Sequence, residues 1–500
     1  MSLGRRTARA ASWTLGARLA ARLLDILVLL VLARVLGPED FGLVALAIGV
    51  VQLTEAILDM PVADLIARER AVSRRLLDTC FTIGLLRGLL LGGLLAAAAL
   101  PLAEFYGEAA LGPLILAIAL APVFRGLLNP RLALLARRLD YRLEVSIEVA
   151  SKAVACAVAL GFGLVTGSYW ALALVTILAP MLAAGASYAA LPFRPRLRLT
   201  HWSRLRHAVG WNFARQVASA FNWQIGRLMA GRLVPLGPLG HFSMAEQIAS
   251  LPRQVMVVPL LRPLVAGLAA ARSEEREAAL GLAASRAVLA VAGPVLVATA
   301  VLSPVVIGPL LGSDWEPVAP VLTLLAIAQL LALAATPLPA VAIKADRVDL
   351  LAGLEIAVLA LRLPLLWLGL STFGIIGAAY ASVAVSWLTF GLSVLLFAKL
   401  LGTLPGTVFR SLLAPAFGLA AMALALALLV NRLPADLTLV ELGLALILAT
   451  GAAGTLHLLI LAAAWQIAGR PPGLERLVLD LLTGLASRLR PRQRGGRRSA

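Results

Sequence analysis

Charge is what this sequence has least of. Only 14% of its 500 residues are Asp, Glu, Lys or Arg, where a soluble domain carries roughly a quarter, and that shortage excludes a soluble enzyme with a single anchor. Acids are scarcer than bases, 26 against 44, leaving a formal net charge of +18. The two cysteines, Cys80 and Cys156, lie inside or beside apolar stretches and read as small core residues, so neither a disulfide nor a metal site is expected of them. Four histidines, His201, His207, His241 and His457, are spaced too irregularly to converge. With no Walker motif, His/Glu metal cluster or acidic nucleotide-sugar site, no metal and no cofactor is expected. Alternating apolar and polar segments of about ten residues, the mark of a membrane β-barrel, are missing too.

What is present is apolar sequence, 61% of the chain, in runs such as Leu85 to Leu100 and Leu412 to Val430. A hydrocarbon core of about 30 Å needs about 20 apolar residues per helix, and helices satisfy their own backbone in lipid. About fourteen spans are expected, starting near Ser12, Phe41, Thr79, Leu111, Val145, Tyr169, Ala208, Leu239, Ser285, Pro317, Leu350, Ile375, Phe409 and Leu439. Gly37-Pro38, Gly112-Pro113, Gly237-Pro238 and Pro471-Pro472 fall where loops are needed. If the N-terminus is cytoplasmic, 33 Lys and Arg lie on that side and Arg34, Arg232 and Arg432 alone on the other. Basic residues are retained inside during insertion, so both termini of a multi-pass membrane protein are expected in the cytoplasm. Helix 1 carries Arg18, Arg22 and Asp25, so no cleavable signal peptide is expected. The basic tail, Arg488 to Arg498, suits anionic lipid and not nucleic acid.

An internal repeat appears at an offset of 198, pairing Arg34, Gly42 and Ala47 with Arg232, Gly240 and Ala245. Helices 1 and 2 then correspond to 7 and 8. The expected architecture is all-α, with two pseudo-symmetric six-helix lobes, residues 1–207 and 208–400. Two further helices over 401–469 and a cytoplasmic tail over 470–500 follow. Duplicated halves with a site between them are a transporter's design.

Charges inside the membrane cost about 2.5 to 3.5 kcal/mol each at the bilayer centre, so each needs a reason. Arg18, Arg22 and Asp25 share one face of helix 1, and Gln52, Glu55 and Asp59 one face of helix 2. In helix 7, Asn212, Arg215, Ser219, Asn222 and Gly226 form a narrow polar stripe; helix 8 adds Ser243, Glu246, Gln247, Ser250 and Arg253. These four faces are expected to meet at one wet cavity between the lobes. Its lining would comprise Arg18, Arg22, Asn212, Arg215, Asn222 and Arg253, together with Arg87, Arg227 and Arg362, which lack obvious local partners, a surplus of guanidinium groups. Planar guanidinium groups suit a phosphate or sugar-acid cargo. Asp25, Glu55, Asp59, Glu246 and Glu355 are the candidates for carrying a coupling proton or cation, while Lys152 is expected to pair with Glu148. Pro252, Pro259, Gly42 and Gly240 are candidate hinges.

The segment Leu32-Ala-Arg-Val-Leu-Gly-Pro-Glu-Asp-Phe-Gly-Leu-Val-Ala-Leu-Ala47 resembles the signature after the first helix of bacterial polysaccharide transporters, the oligosaccharide flippases of the multidrug/oligosaccharidyl-lipid/polysaccharide exporter superfamily. Gly226-Arg-Leu-Met-Ala-Gly231 leading to Leu239-Gly-His-Phe-Ser-Met-Ala245, Gly312-Ser-Asp-Trp-Glu-Pro-Val-Ala-Pro320 and Phe373-Gly-Ile-Ile-Gly-Ala-Ala379 extend the resemblance. Where the family commonly has an Asp, this chain has Gly226. The resemblance implies two lobes around a cationic cavity and movement of an undecaprenyl-pyrophosphate-linked oligosaccharide from the cytoplasmic to the periplasmic leaflet by alternating access. Membrane lipids, a polysaccharide polymerase and a chain-length regulator are the expected partners. A drug/cation antiporter or lipid II flippase of the same fold is the alternative, although Arg-rich stripes suit a cationic drug poorly. From a different class, a membrane glycosyltransferase or polymerase would need larger outside loops than this chain has.

Overall fold

The computed structural model describes residues 3–58, 72–137, 140–200, 211–257, 267–268, 273–434 and 438–467, with the backbone alone for 3–15, 17–18, 136–137 and 211–214. The Arg18 and Asn212 side chains, Asp59, Pro259 and the basic tail therefore lie outside the described residues.

The described chain is helical throughout, and its rods follow the expected spans. They are α1 (Leu3–Ala33), α2 (Pro38–Ile57), α3 (Arg74–Tyr106), α4 (Leu111–Gly126, with a break at Ala119), α5 (Arg142–Thr166), α6 (Trp170–Ala190) and α7 (Trp211–Leu233). Next come α8 (Leu236–Pro252), α9 (Glu274–Leu311) and α10 (Val318–Lys344, loosened near Pro337). The halves of Val348–Leu400 are α11 and α12; α13 (Pro405–Val430) and α14 (Leu439–Ile467) complete the set. Local chemistry sets several ends. Ser73 and Ser273 accept the Leu76 and Arg276 amides to start α3 and α9, satisfying donors that a helix start leaves open. Pro38 opens α2, followed by Glu39 and Asp40 against the positive helix end.

Between α11 and α12 there is no loop. Gly374 takes φ 59° and ψ −138°, a conformation only glycine adopts readily. The chain doubles back so tightly that a Cβ on Gly377 would lie 1.9 Å from the Gly369 carbonyl oxygen.

Among the described residues nine helices, with Val348–Leu400 counted as one, are long and apolar enough to cross a membrane, and the chain is a multi-pass membrane protein. Two long helices outside that set are informative: α1 holds Arg18, Arg22 and Asp25 in its later half, and α7 has its apolar surface broken by Asn, Gln and Arg. A core of fully buried Leu32, Leu46, Leu239, Met244, Trp315 and Val318 joins α1, α2, α8 and α10 at the end of the bundle that holds Arg34. Away from that end α1 leans on α5 and only grazes α9, while α2 is wedged against α7 and α8. The last helices, α13 and α14, pack outside α9.

Candidate functional site

A cavity of about 360 Å³ lies between α1 on one side and α8, α9 and α10 on the other. Its walls are mostly Leu, Ile, Val and Ala, with Arg22, Asp25, Gln247, Gln254, Thr299 and Ser303 as the polar groups. Toward the Arg34 end it is sealed. The Trp315 indole N–H donates to the Ala33 carbonyl at 2.8 Å, and Arg34 donates to the Leu310 and Pro309 carbonyls at the end of α9, the first at 3.0 Å. Those carbonyls belong to a last helical turn, which lacks internal donors and carries the negative end of the helix dipole. Phe41 packs edge-on against Trp315 at 4.9 Å, and the His241 ring meets the Asp314 carbonyl at 2.8 Å.

One reciprocal contact completes the seal. A Cβ on Gly42 would lie 2.0 Å from the Leu236 carbonyl oxygen, and one on Gly240 1.9 Å from that of Pro38. Expected as hinges, these glycines instead stand within unbroken helix and let α2 and α8 cross backbone to backbone. Pro252 does mark a discontinuity: α8 passes there into a π-helical turn, Arg253–Val257.

The charged side chains sort into three groups, a departure from the single shared cavity expected from their stripes. In the first, Asp25 accepts from Arg22 at 3.1 Å and from Lys152 of α5 at 2.7 Å; Lys152 thus reaches across to α1 instead of pairing with Glu148. In the second, the Glu55 carboxylate pairs with Arg125 at the end of α4, and Arg87 of α3 donates to the Glu55 carbonyl at 3.2 Å. From α7, Gln216 donates to the Ala56 carbonyl and Gln224 to Gln52. In the third, Arg227 pairs with Glu246 at 2.6 Å. Asn222 donates to the Glu355 carboxylate at 2.9 Å, Arg362 to the Asn222 carbonyl, and the Arg253 guanidinium lies 5.5 Å from the Trp223 ring centre. Arg215 stands half-buried on α7. The reason for the dispersal is desolvation: each charge away from water is held by the nearest facing helix, and for α7 those helices are α2, α8 and α11.

Of the expected cavity residues, Arg22 lines the cavity described here, and of the coupling candidates Asp25 does. At Gly226 a Cβ would meet only the Phe242 ring, at 3.6 Å; the carboxylate beside Arg227 comes from Glu246. Sequence reasoning missed the pairing of Asp25 with Lys152 and of Glu55 with Arg125, and the seal made by Arg34 on the end of α9 and Trp315 on Ala33. Lys152 did leave a signal, since Lys is rare in this Arg-rich chain and this one stands mid-helix. Among the described residues no group of three or more His, Cys, Asp or Glu could hold a metal, and Cys80 and Cys156 are buried thiols.

A family model described as "Polysaccharide biosynthesis protein" matches residues 31–320. The lipopolysaccharide biosynthesis protein WzxC of Escherichia coli (strain K12) is 24% identical over 401 residues, 77% of this chain and 79% of that protein. The succinoglycan biosynthesis transport protein ExoT of Rhizobium meliloti (strain 1021) is 26% identical over 309 residues, 60% of this chain and 61% of ExoT. In fold, the chain resembles the lipid II flippase MurJ in its inward closed conformation, with TM-score 0.68 and 12% identity, covering 93% of this chain and 100% of that one.

Proposed function

The chain belongs to the polysaccharide biosynthesis protein family, and from that premise we propose that it is a flippase of the bacterial inner membrane. It moves an undecaprenyl-pyrophosphate-linked oligosaccharide from the cytoplasmic to the periplasmic leaflet by alternating access, and does no bond-making chemistry of its own. Residues 1–207 and 208–400 act as the two moving lobes, 401–469 add two outer helices, and both termini lie in the cytoplasm. A membrane-embedded polymerase and chain-length regulator act on the product.

The single observation that carries this reading is the cavity between α1 and α8–α10, closed at the Arg34 end and edged by the Arg22–Asp25 pair. Its apolar walls suit a prenyl chain and its guanidinium an oxyanion. At about 360 Å³ it holds a headgroup and not a long glycan, so whole cargo passes only with the lobes further apart. On the positive-inside rule the sealed end is periplasmic, which makes this an inward-facing arrangement.

Arg22 binds the cargo's phosphates, and Arg18 and Arg215 are assigned to the same cargo from their sequence stripes alone. Among the acids, Glu355 suits coupling best. Its carboxylate is held by the Asn222 amide and faces the Arg253 and Arg362 charges without a direct ion pair to either among the described residues, whereas Asp25, Glu55 and Glu246 each hold a cation in direct contact.

Reconstitution in liposomes with a fluorescent undecaprenyl-pyrophosphate-linked sugar tests the reading. Leaflet exchange by the wild type, lost in R22A, is the expected result. Exchange indifferent to R22A, R18A and R215A rejects the site. Lipid II in a parallel arm separates the two cargoes: preference for lipid II rejects the polysaccharide assignment while keeping the flippase.

A further inference from the structure

Asp25 has two cationic partners, and they hold it unequally. The Lys152 ammonium lies 2.7 Å from Oδ1 and 2.8 Å from Oδ2, spanning both oxygens. The Arg22 guanidinium reaches Oδ2 alone, through Nη1, at 3.1 Å. Exposure divides the same way, with the Arg22 side chain 42% exposed and Asp25 and Lys152 21% and 22%. Arg22 and Asp25 line the cavity, whereas Lys152 comes from α5 behind α1. Eight residues separate Asp25 from the end of α1 at Ala33, about 12 Å at 1.5 Å per residue, which sets the trio near mid-bilayer, where an unpaired charge is costly.

We propose that Lys152 is a positioning residue: the resident counter-cation of Asp25, which leaves the Arg22 guanidinium able to turn into the cavity and bind a phosphate-type oxyanion. One carboxylate between two cations leaves the trio with a surplus positive charge, and that surplus is what an entering anion meets. With Lys152 removed, Asp25 claims Arg22 in full. The trio becomes neutral, and turning Arg22 toward an anion would strand a carboxylate away from water. With Asp25 removed as well, Arg22 is released and the surplus charge returns. The inference rests on the flippase reading for the identity of the anion, but the charge arithmetic holds for any oxyanion of this class.

The test is binding of undecaprenyl phosphate to the purified full-length chain, with uncharged undecaprenol and inorganic pyrophosphate as parallel probes. K152Q is expected to weaken undecaprenyl phosphate about tenfold by trapping Arg22 on Asp25 and to leave undecaprenol unchanged. K152R should bind as wild type, and the D25N/K152Q double variant should recover most of the loss. A purely structural role for Lys152 would move both lipids together and give no recovery. D25N alone, with both cations retained, should bind at least as tightly as wild type, so the proposal stays open to refutation even if K152Q fails to fold. Equal binding by K152Q and wild type, or a loss in D25N, overturns it. If undecaprenyl phosphate does not bind but pyrophosphate shows the K152Q loss and its recovery, the lipid-linked cargo is wrong and the role of Lys152 stands.

Discussion

Gly42 and Gly240 press against each other's helices in a reciprocal contact: Gly42 on the Leu236 carbonyl, Gly240 on that of Pro38. Both the glycines and the residues they touch are 198 positions apart, the offset of the internal repeat, so exchanging the two halves of the contact reproduces it. This is how a pseudo-two-fold axis between two copies would act at this point. It sets the approach of α2 to α8 and closes the cavity's Arg34 end.

A methyl group at either position has backbone to displace. G42A and G240A should each destabilise the protein by about 1–3 kcal/mol, the usual cost of overpacking, and should loosen the seal. Thermal melting checks the first effect. A G42A variant with an unchanged melting temperature and intact transport would show that the crossing is not so close.

Trp315 offers a graded test of the same seal. W315F keeps an aromatic ring near Phe41 but removes the donor to the Ala33 carbonyl, at about 0.5–1.5 kcal/mol, whereas W315A empties a fully buried site, at about 3–5 kcal/mol. Spin labels at Val35 and Leu310, both exposed, should report a growing long-distance population in the order wild type, W315F, W315A. An unchanged distance distribution in W315A contradicts the role given to Trp315.

Arg227 and Glu246 form a half-buried pair on α7 and α8. R227M removes the cation in direct contact with the Glu246 carboxylate and leaves it only the more distant Arg362, at about 3–5 kcal/mol, while the R227M/E246M double variant should regain part of that loss. Chemical denaturation compares them; a double variant no more stable than R227M would contradict the pairing.

Glu355 makes no direct ion pair among the described residues, and E355Q keeps the hydrogen bond from Asn222 while removing a charge that Arg253 and Arg362 face, so it should fold with some loss of stability. E355Q is expected to keep passive leaflet exchange and lose its acceleration by an ion gradient. Acceleration equal to wild type would move coupling elsewhere.

The spans were legible because lipid enforces long apolar runs, and even the turn between α11 and α12 left its mark as Gly374 amid apolar residues. So was the Arg22–Asp25 pair, which lies within one helix at a spacing that fixes its geometry. Asp25 with Lys152 and Glu55 with Arg125 were not legible. Their residues lie on different helices, and partner choice depends on which helices pack together, which a periodic stripe does not encode. For the same reason the polar faces of α1 and α7 look alike in sequence, yet one edges a cavity and the other is spent on α2, α8 and α11. The Trp315–Ala33 seal was hidden because a backbone carbonyl has no sequence signature.

The central claim is that the space between α1 and α8–α10 is the passage, and thiol accessibility tests it most directly. In a C80A/C156A background, single cysteines at Leu29 and Leu251, both lining the cavity, should react with a membrane-impermeant thiol reagent in inside-out vesicles and be protected by undecaprenyl-pyrophosphate-linked sugar. Reaction with lipid-soluble reagents alone, with no protection by that sugar, would contradict it.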